Sequence, residues 1–219
     1  ADSDLGTNTF SYTVANDDGV TDVGIVSLTT EVPCFTRGAM VETEQGPRPI
    51  QELAVGDLVA TRDAGMQPIR WIGARRIKGD QSGVAPIRIA PGAFGADRRH
   101  LVSPQHRILL TGWRAEVLFG AREVLAAAKH LVDDKRVRKT ERNWVEYWHI
   151  LLDQHQVLTV DGVASESFHP GHASLDMLEV KAREEVLDIF PELRVAPGAY
   201  GPSSRRSLKQ FEAQTFALA

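Results

Sequence analysis

The sequence predicts a mainly β fold with a short helical insertion and a C-terminal helical tail. Two observations carry this. Over residues 34–160 the chain is a series of short apolar runs punctuated by Gly and Pro, a spacing that many short strands produce. From about residue 174 onward the apolar residues fall at helical intervals instead.

Residues 9–14 and 23–29 alternate polar and apolar side chains around Asn16-Asp17-Asp18-Gly19, which predicts a β-hairpin with Asp17 and Asp18 as turn formers. A lone hairpin is marginal in water, so these strands are expected to belong to a larger sheet. Further strands are expected at residues 39–43, 58–61, 69–72, 86–89, 107–110 and 156–160. Residues 123–131 are good helix formers and supply the predicted helical insertion. The charged stretch 133–143 reads as an exposed loop. In the tail, Leu175, Leu178, Val186 and Ile189 predict a helix over 174–190 that Pro191 ends. Leu208, Phe211 and Phe216 predict a second one over 203–218, with those three on one side.

Composition narrows the function. The 219 residues carry a net charge of -4 with no Lys/Arg stripe, so no nucleic-acid footprint is expected. No apolar run approaches the roughly 18 residues that a bilayer span needs. The single cysteine, Cys34, excludes an internal disulfide and a thiolate-rich metal site. No Walker-type loop or dinucleotide fingerprint is present, so no cofactor is expected. The chain starts at Ala1-Asp2-Ser3-Asp4 without Met and without a visible signal peptide, and reads as a fragment of something longer.

Cys34 stands where the alternating strand segment ends and a new domain begins. Around it the sequence is Val32-Pro33-Cys34-Phe35-Thr36-Arg37-Gly38-Ala39-Met40-Val41. Two further segments follow in order: Pro49-Ile50-Gln51-Glu52-Leu53-Ala54-Val55-Gly56-Asp57-Leu58-Val59, and Leu101-Val102-Ser103-Pro104-Gln105-His106-Arg107-Ile108-Leu109. Together these resemble the Hint superfamily of hedgehog C-terminal domains and inteins, closest to bacterial Hint domains appended to secreted repeat proteins.

The resemblance implies a horseshoe-like Hint fold over 34–172, with 173–219 as its helical extension. Residues 1–33 resemble the last strands of a cadherin-like or adhesin repeat. It also implies autocleavage of the Pro33–Cys34 bond. A thiol is a competent nucleophile near neutral pH, so Cys34 attacks the Pro33 carbonyl and an N-to-S acyl shift gives a thioester. Water, a thiol or an amine then accepts the acyl group. Imidazole shuttles protons near pH 7, and His106 is expected to protonate the leaving amine. Ser103 takes the place of the family's Thr and is expected to polarise the scissile amide. In the later segment Tyr147 to Val157, His155 falls where inteins carry a block histidine. The family's Asp falls at Trp148, so either His149 or Asp153 substitutes for it or the role is absent.

The chain's asparagines are Asn8, Asn16 and Asn143, and it ends without the His-Asn pair that splicing needs. Cleavage without C-terminal splicing is therefore expected, from a monomer at the bacterial surface or secreted, acting on its own upstream polypeptide. Pro33 is an unusual acyl donor because its ring is rigid. Two alternatives stand beside this: a non-catalytic surface module with Cys34 as a buried hydrophobe, and a cysteine hydrolase acting in trans.

Overall fold

The computed structural model describes residues 7–15, 21–29, 33–79, 83–176 and 178–218. The expected turn at Asn16 to Gly19 lies outside them. Its flanks pair as predicted: β1 (Thr7–Ala15) and β2 (Thr21–Thr29) form an antiparallel two-stranded ribbon, Thr7 opposite Thr29 and Ala15 opposite Thr21.

Fourteen short strands follow among the described residues. They are β3 (Phe35–Thr36), β4 (Met40–Thr43), β5 (Gly46–Pro49), β6 (Leu58–Thr61), β7 (Gly65–Pro68), β8 (Trp71–Lys78), β9 (Ile87–Ile89) and β10 (His100–Val102). After β11 (Arg107–Thr111) and helix α1 (Trp113–Phe119) come β12 (Glu123–Ala127), β13 (Val137–Lys139), β14 (Trp144–Leu151), β15 (Val157–Val160) and β16 (Val163–Glu166). The tail holds α2 (His172–Asp176), α3 (Val180–Ile189) and α4 (Gln210–Leu218). One sheet runs β13-β9-β10-β3-β14-β8; the other runs β12-β11-β16-β15-β4-β6-β7, with β5 on β4. This is the mainly β architecture of a Hint fold.

The long strand β14 divides the interior. It buries alternate residues on opposite faces, as the pleat requires. Ile150 joins the main core with Phe35, Ile108 and Leu158. Val145, Tyr147 and Leu151 face a second cluster that holds Cys34 and Trp71. Val84 and Phe168 belong to it too, and the tail adds Leu175, Val186, Leu187, Phe190, Leu193 and Tyr200. The extension is thus packed onto the face that carries Cys34.

Four local expectations are corrected. Residues 123–127 are a strand and 128–131 a 3₁₀ turn, not a helix. Val124 to Ala127 are buried and Leu125 is hydrogen-bonded to Arg206 and Leu208, so tertiary pairing overrides a propensity worth at most a few tenths of a kcal/mol per residue. The helical insertion is instead α1, capped by Gly120 in the left-handed region, φ 67°. The stretch 133–143 contains β13, paired with β9. The tail helix over 174–190 is two helices, and the last one starts at Gln210: Leu208 is buried ahead of it beside β12, and Phe211 faces solvent.

Candidate active site

Cys34 immediately precedes β3, between β10 and β14. The register brings Tyr147 opposite Thr36 and Trp148 opposite Phe35. Cross-strand partners share a face, so extending the pairing one step puts His149 on the same face as Cys34. The contacts follow. His149 Nε2 lies 3.6 Å from Cys34 Sγ. The other ring nitrogen, Nδ1, lies 3.0 Å from the Pro33 carbonyl oxygen. A carbonyl oxygen only accepts, so Nδ1 carries the proton and Nε2 is left as the acceptor for the thiol.

Ser103 holds the Pro33–Cys34 amide. The Cys34 N–H donates to Ser103 Oγ at 2.9 Å, and the Ser103 N–H donates to the Cys34 carbonyl at 2.9 Å. Ser103 and His106 close one tight turn, the His106 N–H donating to the Ser103 carbonyl at 3.1 Å. The His106 ring is buried, 4.3 Å from the Phe35 ring, and neither of its nitrogens finds a hydrogen-bond partner among the described residues.

Electrostatics separate the two histidines from solution imidazole. Burial, and then the neighbouring His100 and His149, hold His106 well below the usual value. His149 is pushed down to about 4, chiefly by burial, with Arg75 adding to the effect and the Pro33 carbonyl opposing it. Both are neutral at pH 7. For His149 this is the form that takes a proton from a thiol. His106, expected from the sequence to protonate the leaving amine, is held in the same neutral form.

The other predicted residues lie elsewhere. Asp153 is half exposed and ion-paired with Arg70 at 3.5 Å. Trp148 turns to the opposite face, where its indole N–H donates to Glu146 Oε1 at 2.9 Å. His155 is buried, but its Nδ1 accepts the Ser204 N–H at 2.9 Å and its Nε2 lies 3.3 Å from Glu166 Oε2. Glu166 is itself held by the Arg107 backbone N–H and guanidinium, at 2.8 and 3.0 Å. The structure therefore brings together Pro33, Cys34, Ser103 and His149, with His106 in the adjoining turn. It keeps Asp153 and His155 out of that group. Sequence reading missed Trp71 and Phe168, whose ring centroids lie 6.2 and 5.4 Å from that of His149 and 6.1 Å from each other. A tryptophan in a short apolar run signals only burial, so nothing in the sequence marks it.

No cluster of His, Cys, Asp or Glu among the described residues could hold a metal ion, and no helix among them is long and apolar enough to cross a membrane. No curated protein matches the sequence. Three solved structures share parts of the architecture at low similarity. The gp41-1 intein is 11% identical with a TM-score of 0.38, covering 62% of this chain and 98% of its own. A bacterial intein-like domain from Clostridium thermocellum is 14% identical with a TM-score of 0.42, covering 60% and 96%. A DnaB intein from Synechocystis sp. PCC 6803 is 10% identical with a TM-score of 0.38, covering 62% and 98%. The profile of the Hint domain matches residues 33–172. On that match, which spans more than half of its length, the chain belongs to the Hint domain family.

Proposed function

We propose that this self-processing domain cleaves its own Pro33–Cys34 bond through a Cys34 thioester, with His149 as the central acid–base group. The single observation that carries this reading is the double contact of His149, one nitrogen at the thiol and the other at the scissile carbonyl. Nε2 takes the thiol proton as Sγ bonds to the Pro33 carbonyl carbon. The imidazolium so formed strengthens the Nδ1–H hydrogen bond just as negative charge develops on the carbonyl oxygen. The C–N bond then breaks, and the thiol's proton ends on the Cys34 amine. Atoms balance: one S–C bond replaces one N–C bond, and one proton moves from sulfur to nitrogen.

Ser103 fixes the amide while it leaves, and its hydroxyl keeps the nitrogen's proton directed away from the attack face. Neutral His106 carries one ring N–H and adjoins the Ser103 turn, packed on Phe35. Water, a thiol or an amine takes the acyl group from sulfur. The paired chemistry of C-terminal splicing is not part of this proposal, because His155 is engaged by the tail. Burial of Cys34 beneath the tail also favours an intramolecular substrate over one acting in trans.

Incubating the purified chain with dithiothreitol is expected to release residues 1–33, followed by intact mass over time. Cys34→Ala is expected to release nothing. Equal integrity of wild type and Cys34→Ala after prolonged thiol or hydroxylamine treatment would overturn the proposal.

A further inference from the structure

We infer that Trp71, seated over Gly73 and pinned by Glu185 of the C-terminal extension, is the positioning residue that aims both nitrogens of His149. This rests on the role given to His149 above. His149 pairs with Gly73 across the β8–β14 ladder. A Cβ at residue 73 would stand 2.3 Å from Trp71 Cζ2, so the indole occupies the space that any larger residue would need. From there it lies nearly parallel to the imidazole, with 21° between the ring planes. Phe168 packs against both rings, 5.4 Å from the imidazole centroid and 6.1 Å from the indole centroid. Together they oppose, from that side, a turn of the imidazole about its Cβ–Cγ bond. That is the motion which would break the sulfur and carbonyl contacts together.

The indole is itself held from the tail. Trp71 Nε1 donates to Glu185 Oε2 at 3.0 Å, and Glu185 lies on α3. Two residues past Gly73 on the same face of β8, Arg75 Nε reaches Glu179 Oε1, at the start of α3, at 3.1 Å. The profile match ends at residue 172, so both carboxylates come from the extension. A chain of contacts thus runs from α3 through Trp71 to His149 and the scissile carbonyl. A misplacement of about 1 Å at a reacting group can cost about a hundredfold in rate, so a loosened indole is expected to be visible in catalysis.

The test compares Glu185→Leu, Glu185→Gln and Gly73→Ala for thiol-induced fragment release, together with His149 ring nitrogen NMR in a Cys34→Ala background. Glu185→Leu removes the acceptor and is expected to slow release about tenfold or more, with the Nδ1–H tautomer of His149 no longer dominant. Glu185→Gln keeps an acceptor oxygen and is expected to restore both. Gly73→Ala expels the indole and is expected to act like Glu185→Leu; if it does not fold, the Glu185 pair decides alone. Wild-type release and an unchanged His149 tautomer in Glu185→Leu would overturn the inference. If His149→Ala itself releases at the wild-type rate, the role of His149 is what fails.

Discussion

His149 and His155 sit six residues apart, both buried, the first on β14 and the second in the loop that leads to β15, and they are wired differently. His149 spends its nitrogens on the groups of the proposed reaction, the Cys34 thiol and the Pro33 carbonyl. His155 turns its own toward groups outside it, the Ser204 backbone and the Glu166 carboxylate. On the proposed reading, burial and residue type do not make a histidine catalytic. What matters is whether its partners contain a bond to be broken. His155 instead fastens the tail to β16, and the tail in turn roofs the Cys34 side.

The comparison breaks most readily through His149→Ala. Loss of a general acid–base group costs about a hundredfold to ten-thousandfold, so fragment release is expected to fall at least a hundredfold while the precursor stays folded. His155→Ala reaching the same rate loss would erase the distinction.

Acid gives the next effect. The His149 value near 4 lies below the ordinary imidazole value of about 6.5, so the unfolded chain binds a proton that the native one does not. The native advantage is complete above about pH 6.5 and declines as pH falls toward about 4, by about 3 kcal/mol from His149, with His106 pulling the same way. Denaturant titrations of the Cys34→Ala chain between those values are expected to show the decline. Thioester formation, followed with the acyl acceptor in saturating excess, should stay level down to about pH 5 and fall as His149 is protonated near 4.

His155→Ala is expected to cost about 2 kcal/mol, because it strands the Ser204 N–H in a buried place. Release measured on the folded fraction should change less than about twofold; a larger drop would mean that His155 belongs to the reaction after all. The smallest effect is Asp153→Asn. It removes a half-exposed ion pair worth at most about 1 kcal/mol and is expected to leave the release rate unchanged.

The strands were legible wherever a run carried its own turn signals. Residues 58–61 and 107–110, for instance, are strand in the structure. The stretch 123–127 was not, because its Leu-Ala composition favours a helix and only its two hydrogen-bonded neighbours, β11 and the tail segment at Ser207, make it a strand. The same limit applied at the site. Cys34, Ser103 and His106 sit in ordered motifs and could be named from sequence. The choice between Trp148, His149 and Asp153 required the β14 register, although strict alternation from Tyr147 already places 149, not 148, on the inner face. Trp71 and Glu185 are 114 residues apart, and their meeting leaves no local trace.

The reciprocal clasp between Cys34 and Ser103 has one more consequence. In the proposed reaction the new amine and the thioester belong to the same residue, Cys34, so the covalent chain keeps them together. The Ser103 N–H, 2.9 Å from the Cys34 carbonyl before cleavage, acts on no bond that is cut and continues to fix that residue's orientation. Return attack of that amine on the thioester is as well arranged as the forward step. On this account the domain idles in a closed equilibrium, and commitment belongs to whichever acceptor drains it.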